Sequence, residues 1–273
     1  MIHTEHSGRI ARALSGQSIY GDDFTADELR AWYADEESGY ATLEHEDSQN
    51  ETYLYRGLDT TYFLPHLRGR KLDALGVGSA FGLEFELIRE ELRSLTVIEP
   101  AERYWRPEVA GQRVDWIKPK PEGDLDLADG RFDLIFCLGV LHHVPNVSHL
   151  VKELHRVARS GCVLCIREPI TSMGDWRLQR PGLTRRERGL PWEVFGNALQ
   201  TAGFGIRSRR MIGFGPLLKA ASALGVRAPW NQAPFVRLDA WLSAAFAFNY
   251  SYHRTSLPRR FAPSVGIWTC VKN

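Results

Sequence analysis

Cysteine is scarce in this chain. Its four residues, Cys137, Cys162, Cys165 and Cys270, are too few and too unevenly spaced to staple 273 residues, which points to a reducing cytoplasm. Cys162 and Cys165 spell C-x-x-C inside the apolar run Gly161-CVLCI-Arg167, where residues three apart on a strand face opposite sides of a sheet. With no second ligand pair, no metal is expected. Net charge is nearly absent too: 34 Lys and Arg against 33 Asp and Glu leave +1, so no global field draws nucleic acid, and none is expected as a partner. Long apolar runs are also missing. The N-terminal MIHTEHSGRIARALSG lacks the ~7–15-residue apolar stretch of a signal peptide. The longest apolar segment, Ala240 to Phe248, falls well short of the ~20 residues of a membrane helix, so no membrane partner is expected. There is no internal repeat and no low-complexity tract.

What is present suits a globular protein: 44% hydrophobic, 25% charged and 11% aromatic residues, enough for one large α/β domain with insertions. Charge is unevenly placed. Asp22 to Glu51 holds eleven acids and the single base Arg30, whereas Gly174 to Arg260 holds fourteen bases and four acids. Either these segments face one another or stay solvated, or some of the arginines recognise an anionic substrate. Thr25 and Glu28 have the spacing of a capping box and open a helix through Leu29, Trp32 and Tyr33. A helical or irregular segment follows from Tyr53 to Leu67. From Lys71 the apolar runs LDALGVG, LTVIEP, VDWI, FDLIFCLG and CVLCIREP alternate with helix-like stretches, which predicts a mostly parallel sheet covered on both faces. Helices are expected near Leu83, over His149–Ala158 and over 191–201, and strands over Phe204–Met211 and Val265–Val271. The division that results is an N-terminal helical arm, 1–68, a core of 69–215 and 262–273, and a helical cap inserted at 216–261.

Two local signals point to a nucleotide. Gly76-Val-Gly78-Ser79-Ala80-Phe-Gly82 lies between a strand and the next helix, where glycines let the backbone approach a ligand and a helix start offers free N–H groups. One βα unit later Glu99-Pro100 ends a strand, and a carboxylate there can accept both hydroxyl hydrogens of a ribose. Together they suggest an adenosine ligand.

A third segment narrows the choice. Asp129-Gly-Arg-Phe132-Asp133-Leu-Ile-Phe-Cys137-Leu138-Gly139-Val-Leu-His142-His143-Val144-Pro145 resembles the fourth-strand segment of class I S-adenosylmethionine-dependent methyltransferases, and residues 70 to 170 follow that family in register. The resemblance implies a Rossmann-like methyltransferase sheet with its last strand antiparallel, and S-adenosylmethionine across the strand ends. On the positions that match, cofactor contacts would fall to Gly76, Gly78, Ser79, Ala80, Glu99, Pro100, Leu138 and Gly139. The sequence also departs from the family. Ala74 stands where an acid usually meets the methionine amino group, and Asp73 beside it should point to the other face. Ala80 replaces a third glycine, and the usual adenine-binding aspartate would fall at Pro121, with Asp124 as a stand-in.

Methyl transfer is an in-line displacement that asks mainly for alignment and exclusion of water, and a hydroxyl acceptor gains from a base. His142, His143 and Glu168 are the catalytic candidates, since each follows a strand end on the cofactor side; each is equally suited to a structural role. The stretch from Arg167 to Pro191 resembles a subset of bacterial methyltransferases of surface-glycan or natural-product pathways, which implies a small-molecule acceptor, anionic or sugar-containing. Trp176, Arg177 and His253 are the candidates to bind it. The function read from the sequence is thus O-methylation of a small molecule by a monomer or homodimer. The alternative is a non-methylating member of the fold that keeps the cofactor as a structural or regulatory ligand. A nicotinamide enzyme fits less well, because the glycines do not follow G-x-G-x-x-G.

Overall fold

Strands that bury both faces read as unbroken apolar runs, and the inner strands of this chain do so. The computed structural model describes residues 2–42, 52–67 and 69–273. Of the acidic stretch, Glu44, Glu46, Asp47 and Glu51 lie outside these residues, and the side chains of 37–42 are not described. The N-terminal arm contributes α1 (Ile2–Leu14), α2 (Ala26–Thr42) and α3 (Arg56–Tyr62). The sheet is built from β1 (Leu72–Val77), β2 (Leu92–Ile98), β3 (Glu108–Val109), β4 (Gln112–Ile117), β5 (Phe132–Leu138), β6 (Ala158–Pro169), β7 (Phe204–Phe214) and β8 (Pro263–Lys272). Between them lie α4 (Val147–Val157), α5 (Trp192–Thr201), α6 (Gly215–Ala223) and α7 (Ala233–Ala245).

Sheet order is β3-β4-β2-β1-β5-β6-β8-β7. The inner strands β4, β2, β1, β5 and β6 run parallel, while β8 is antiparallel to both β6 and β7. This is the expected Rossmann-like sheet with a reversed final strand. The FDLI strand is the fifth rather than the fourth because the short β3 pairs antiparallel with β4 at the edge. Alternate residues of each strand feed opposite cores. Leu75, Val77, Ile135, Cys137, Cys162 and Leu164 pack with Leu150, Val151, Leu154 and Val157 of α4. Ala74, Val97, Leu134, Phe136, Val163 and Cys165 pack with Leu58, Phe63 and Phe85 on the other side. The two cysteines of C-x-x-C therefore lie on opposite faces, and all four cysteines are buried and free.

Two local expectations change and one is met. The helix near Leu83 is a 3-10 turn over Leu83–Ile88, since only a few residues separate left-handed Gly82 from β2. The expected strand over Phe204–Met211 continues to Phe214, held by its ladder to β8. The capping box is formed: Thr25 N–H donates to Glu28 at 2.8 Å and Glu28 N–H to the Thr25 hydroxyl at 3.4 Å. From it α2 projects Leu29, Trp32 and Glu36 inward on one face. The segment 216–261 packs α7 against the outer strand β7 and against α3. Asp239, fully buried, fixes it there by accepting the N–H groups of Gly213 and Phe214 at 2.9 and 2.7 Å.

Candidate functional site

The chain leaves β1 toward one side of the sheet and β5 lies on the other, so a crevice opens at the carboxyl ends of these strands. A cavity of about 1420 Å³ occupies it, larger than the ~300–1,000 Å³ typical of one small ligand and therefore wide enough for two. Its floor is Val77 to Ala80, Ile98 to Ala101 and Leu138 to Val140. Its roof comes from the N-terminal arm, through Tyr33 and Glu36 of α2 and residues 52–55. Of the segment 216–261, Arg227 and Ala228 reach it.

The turn after β1 is shaped by backbone geometry. Gly78 has φ +61°, and a Cβ there would come within 2.2 Å of Val140, so no other residue fits without moving the loop after β5. Ala80 also adopts the left-handed region, at φ +45°, where glycine is preferred. Its N–H is engaged by Glu99, whose carboxylate accepts Ala80 N–H and Ala101 N–H at 3.0 Å each. Glu99 thus faces the cavity from the end of β2 and ties both strand-end turns together, with lone pairs left to accept further hydrogens. Burial pushes its carboxyl above the ordinary range, and the two backbone N–H groups draw it back. Gly76 does not border the cavity; a side chain there would strike the Ser79 hydroxyl at 2.4 Å.

Beneath Ser79 lies a buried charged group that the sequence reading did not anticipate. Arg167, at the end of β6, pairs with Asp59 of α3 at 2.6 Å and sits 3.8 Å over the Tyr55 ring, while the Tyr53 hydroxyl also reaches Asp59. Glu84 borders the cavity beside them. Burial raises its carboxyl to about 7, against the hydrogen bond from the Ser79 hydroxyl and the nearby Arg167 charge. LEFELI holds two acids, Glu84 and Glu86, and nothing in the sequence marks Glu84 as the buried one.

The loop after β5 carries the two neighbouring histidines in different settings. Glu168, fully buried, accepts Val140 N–H and Leu141 N–H at 2.8 Å each and meets His142 Nδ1 at 2.7 Å. Neither Glu168 nor His142 borders the cavity. His143 does border it, and its Nδ1 lies 2.9 Å from Glu36 of α2. Burial and the adjacent His142 ring lower the pKa of His143, against the pull of Glu36, so the imidazole is neutral at pH 7. Glu36 could have been found from its place in line with Leu29 and Trp32 on a buried helix face.

Other candidates are placed away from the cavity. Trp176 stacks on Tyr20 at 5.0 Å, Arg177 forms an exposed pair with Asp175 at 2.6 Å, and His253 meets the Ser172 hydroxyl at 2.8 Å. None of the three borders it, whereas Tyr33, Tyr53, Tyr55 and Arg227 do. Asp73 belongs to a cluster with Arg93, Arg159 and Asp133, which holds its carboxyl at about 2. Asp124 borders the cavity and meets His149 Nε2 at 2.8 Å; Pro100, Leu138 and Gly139 border it too. Of the arginines after β6, Arg180 and Arg188 brace backbone carbonyls. Arg188 is fully buried and donates to the carbonyls of Tyr20, Leu141, Val144 and Pro145, and Arg186 pairs with Asp35 at 2.6 Å.

Comparison with known proteins gives the site a context. Residues 75–166 match the family model described as a methyltransferase domain. No curated protein matches the sequence. A Listeria monocytogenes protein described as an S-adenosylmethionine dependent methyltransferase superposes with a TM-score of 0.53 at 12% identity, covering 80% of this chain and 98% of its own. An S-adenosylmethionine dependent methyltransferase from Mesorhizobium loti gives 0.50 at 16%, covering 76% and 93%. A Galdieria sulphuraria protein described as a sarcosine dimethylglycine methyltransferase gives 0.50 at 15% and covers 98% of both chains. At these identities the likeness bears on the fold.

Proposed function

We propose that residues 75–166, which match the methyltransferase-domain model, form a class I, S-adenosylmethionine-dependent core, and that the protein methylates a hydroxyl of a small-molecule acceptor held between the cofactor and the N-terminal arm. The observation that carries the proposal is that one cavity has Glu99 and Glu84 at its cofactor end and the His143–Glu36 pair on its wall. The residues present fit the cofactor. Glu84 is a buried carboxylate on the cavity wall, and the ammonium of a methionine group would complement it, replacing the acid missing at Ala74. Glu99 has capacity for two ribose hydroxyls, and Asp124, the stand-in for the adenine-binding aspartate, borders the cavity.

When bound, S-adenosylmethionine supplies an electrophilic methyl on a sulfonium. The residues around it have separate tasks. Glu99, Glu84 and the turn 78–80 hold and orient it. The arm closes the cavity from water through Tyr33, Tyr53 and Tyr55, which raises the effective concentration of the two reactants. His143, neutral at pH 7, takes the acceptor's proton on its ring, and Glu36 orients the ring and stabilises the charge that develops. Glu168 and His142 are positioning residues that fix the loop bearing His143. A sugar or natural-product hydroxyl suits the tyrosine-lined space beside Arg227.

Incubation with S-adenosylmethionine and a panel of hydroxylated sugars and phenolics tests this reading. The expected result is one methyl mass increment on an acceptor with equal release of S-adenosylhomocysteine. Cofactor binding with no increment on any oxygen, nitrogen or carbon acceptor would instead favour the ligand-binding alternative.

A further inference from the structure

Single hydrophobic side chains on a surface are ordinary, whereas a continuous group rimmed by one sign of charge marks a contact face. Among the described residues seven large hydrophobics are exposed, and six of them fall within 224–261: Leu224, Leu238, Trp241, Phe248, Leu257 and Phe261. Part of this group is demonstrably contiguous. On α7, Val236, Asp239 and Ser243 turn inward while Leu238 and Trp241 share the outer face one turn apart. Just beyond the helix, Phe248 is 83% exposed and stacks on Phe246 at 6.1 Å. Phe246 lies 4.9 Å from Phe214, and Phe261 lies 6.5 Å from the same ring.

The exposed charge of this segment has one sign. Residues 216–261 contain six bases, Lys219, Arg227, Arg237, Arg254, Arg259 and Arg260, and one acid, Asp239. Asp239 is fully buried and engaged by backbone N–H groups, so no carboxylate of this segment faces solvent. Among the described residues none of the six cations has an ion-pair partner, in contrast to Arg186, which meets Asp35 of the arm.

We propose that the 216–261 segment docks on the anionic surface of a lipid bilayer. Aromatic and aliphatic side chains would enter the headgroup and acyl boundary, and the surrounding cations would meet phosphate and carboxylate headgroups. The segment lies on the surface and does not cross it: α7 has 13 residues, about 20 Å of helix against a hydrocarbon core of roughly 30 Å. A second copy of the chain is a poorer occupant, because a two-fold contact sets the same cations against one another. Arg227 and Ala228 also border the cavity, so docking would bring its mouth to the bilayer.

The test is flotation of the full chain with vesicles of phosphatidylcholine alone and of phosphatidylcholine containing phosphatidylserine, at low and raised salt. The expected result is association with the anionic vesicles, weakened by salt. It should fall about tenfold in Trp241→Ser/Phe248→Ser and in Arg259→Glu/Arg260→Glu, with unchanged melting temperature and unchanged S-adenosylhomocysteine binding. Absence of binding to anionic vesicles at low salt would overturn the proposal, as would equal binding to both compositions. Concentration-dependent dimers abolished by the same substitutions, without vesicle binding, would assign the face to a second copy and overturn it too.

Discussion

His142 and His143 are neighbours in sequence, and each has a carboxylate on its Nδ1, yet they belong to different parts of the molecule. The His142 side of the loop is over-determined: Glu168 takes two backbone N–H groups and the ring, and Arg188 holds carbonyls on both sides. The His143 side meets the cavity and takes its partner, Glu36, from a helix 107 residues away. Of the two rings, only that of His143 borders the cavity. A rigid inner half keeps the outer half in place, as a preorganised site requires.

The widest separation between the halves should appear on substitution of His143. His143→Ala is expected to lower kcat about a thousandfold, within the range of a lost general base, while the Kd for S-adenosylhomocysteine changes less than about threefold. Steady-state kinetics alongside calorimetry would show this, and a parallel loss of cofactor affinity would break the distinction. On the inner side, Glu168→Ala should destabilise the fold by about 3 kcal/mol, since it leaves two buried N–H groups and a buried ring nitrogen without an acceptor. Urea unfolding measures that, and an unchanged midpoint would contradict the structural role.

A pH experiment sharpens the view of the cofactor end. Glu84 is held at about 7, above the ordinary 4.5, so the folded protein is stabilised by the protonated form and loses that stability as pH rises through 7. An ammonium ligand needs the ionised form. Cofactor affinity should therefore rise about tenfold from pH 6 to pH 8, and Glu84→Gln should flatten that rise while making the free protein more stable at pH 8. The smallest effect is expected at Arg177→Ala, which breaks an exposed pair away from the cavity: no resolvable shift in melting temperature and no change in KM. A large KM effect there would return Arg177 to the acceptor site.

The sheet was legible because its signals are local. LDALGVG, FDLIFCLG and CVLCI each show apolar runs with a turn at the end, and Cys162 and Cys165 fall on opposite faces as a period of two requires. Glu99 and Gly78 were legible for the same reason, as each acts through its own strand end. The roof was not. Glu36 reaches His143 across 107 residues and Asp59 reaches Arg167 across 108, and no spacing rule connects such pairs. Trp176 and His253 illustrate the converse: an aromatic or a histidine looks the same in sequence whether it borders a cavity or fills a contact with Tyr20 or Ser172. Arg188 sits in an arginine-rich stretch that reads as surface and is fully buried.

Calorimetric titration of S-adenosylhomocysteine into the native chain and into Glu99→Ala bears most directly on the site. Submillimolar binding that weakens about a hundredfold on the substitution, as expected for the loss of charge-assisted hydrogen bonds to two hydroxyls, would place the adenosyl group against the end of β2. Equal affinity in the two proteins, or no heat in either, would contradict that placement and with it the assignment of the cavity.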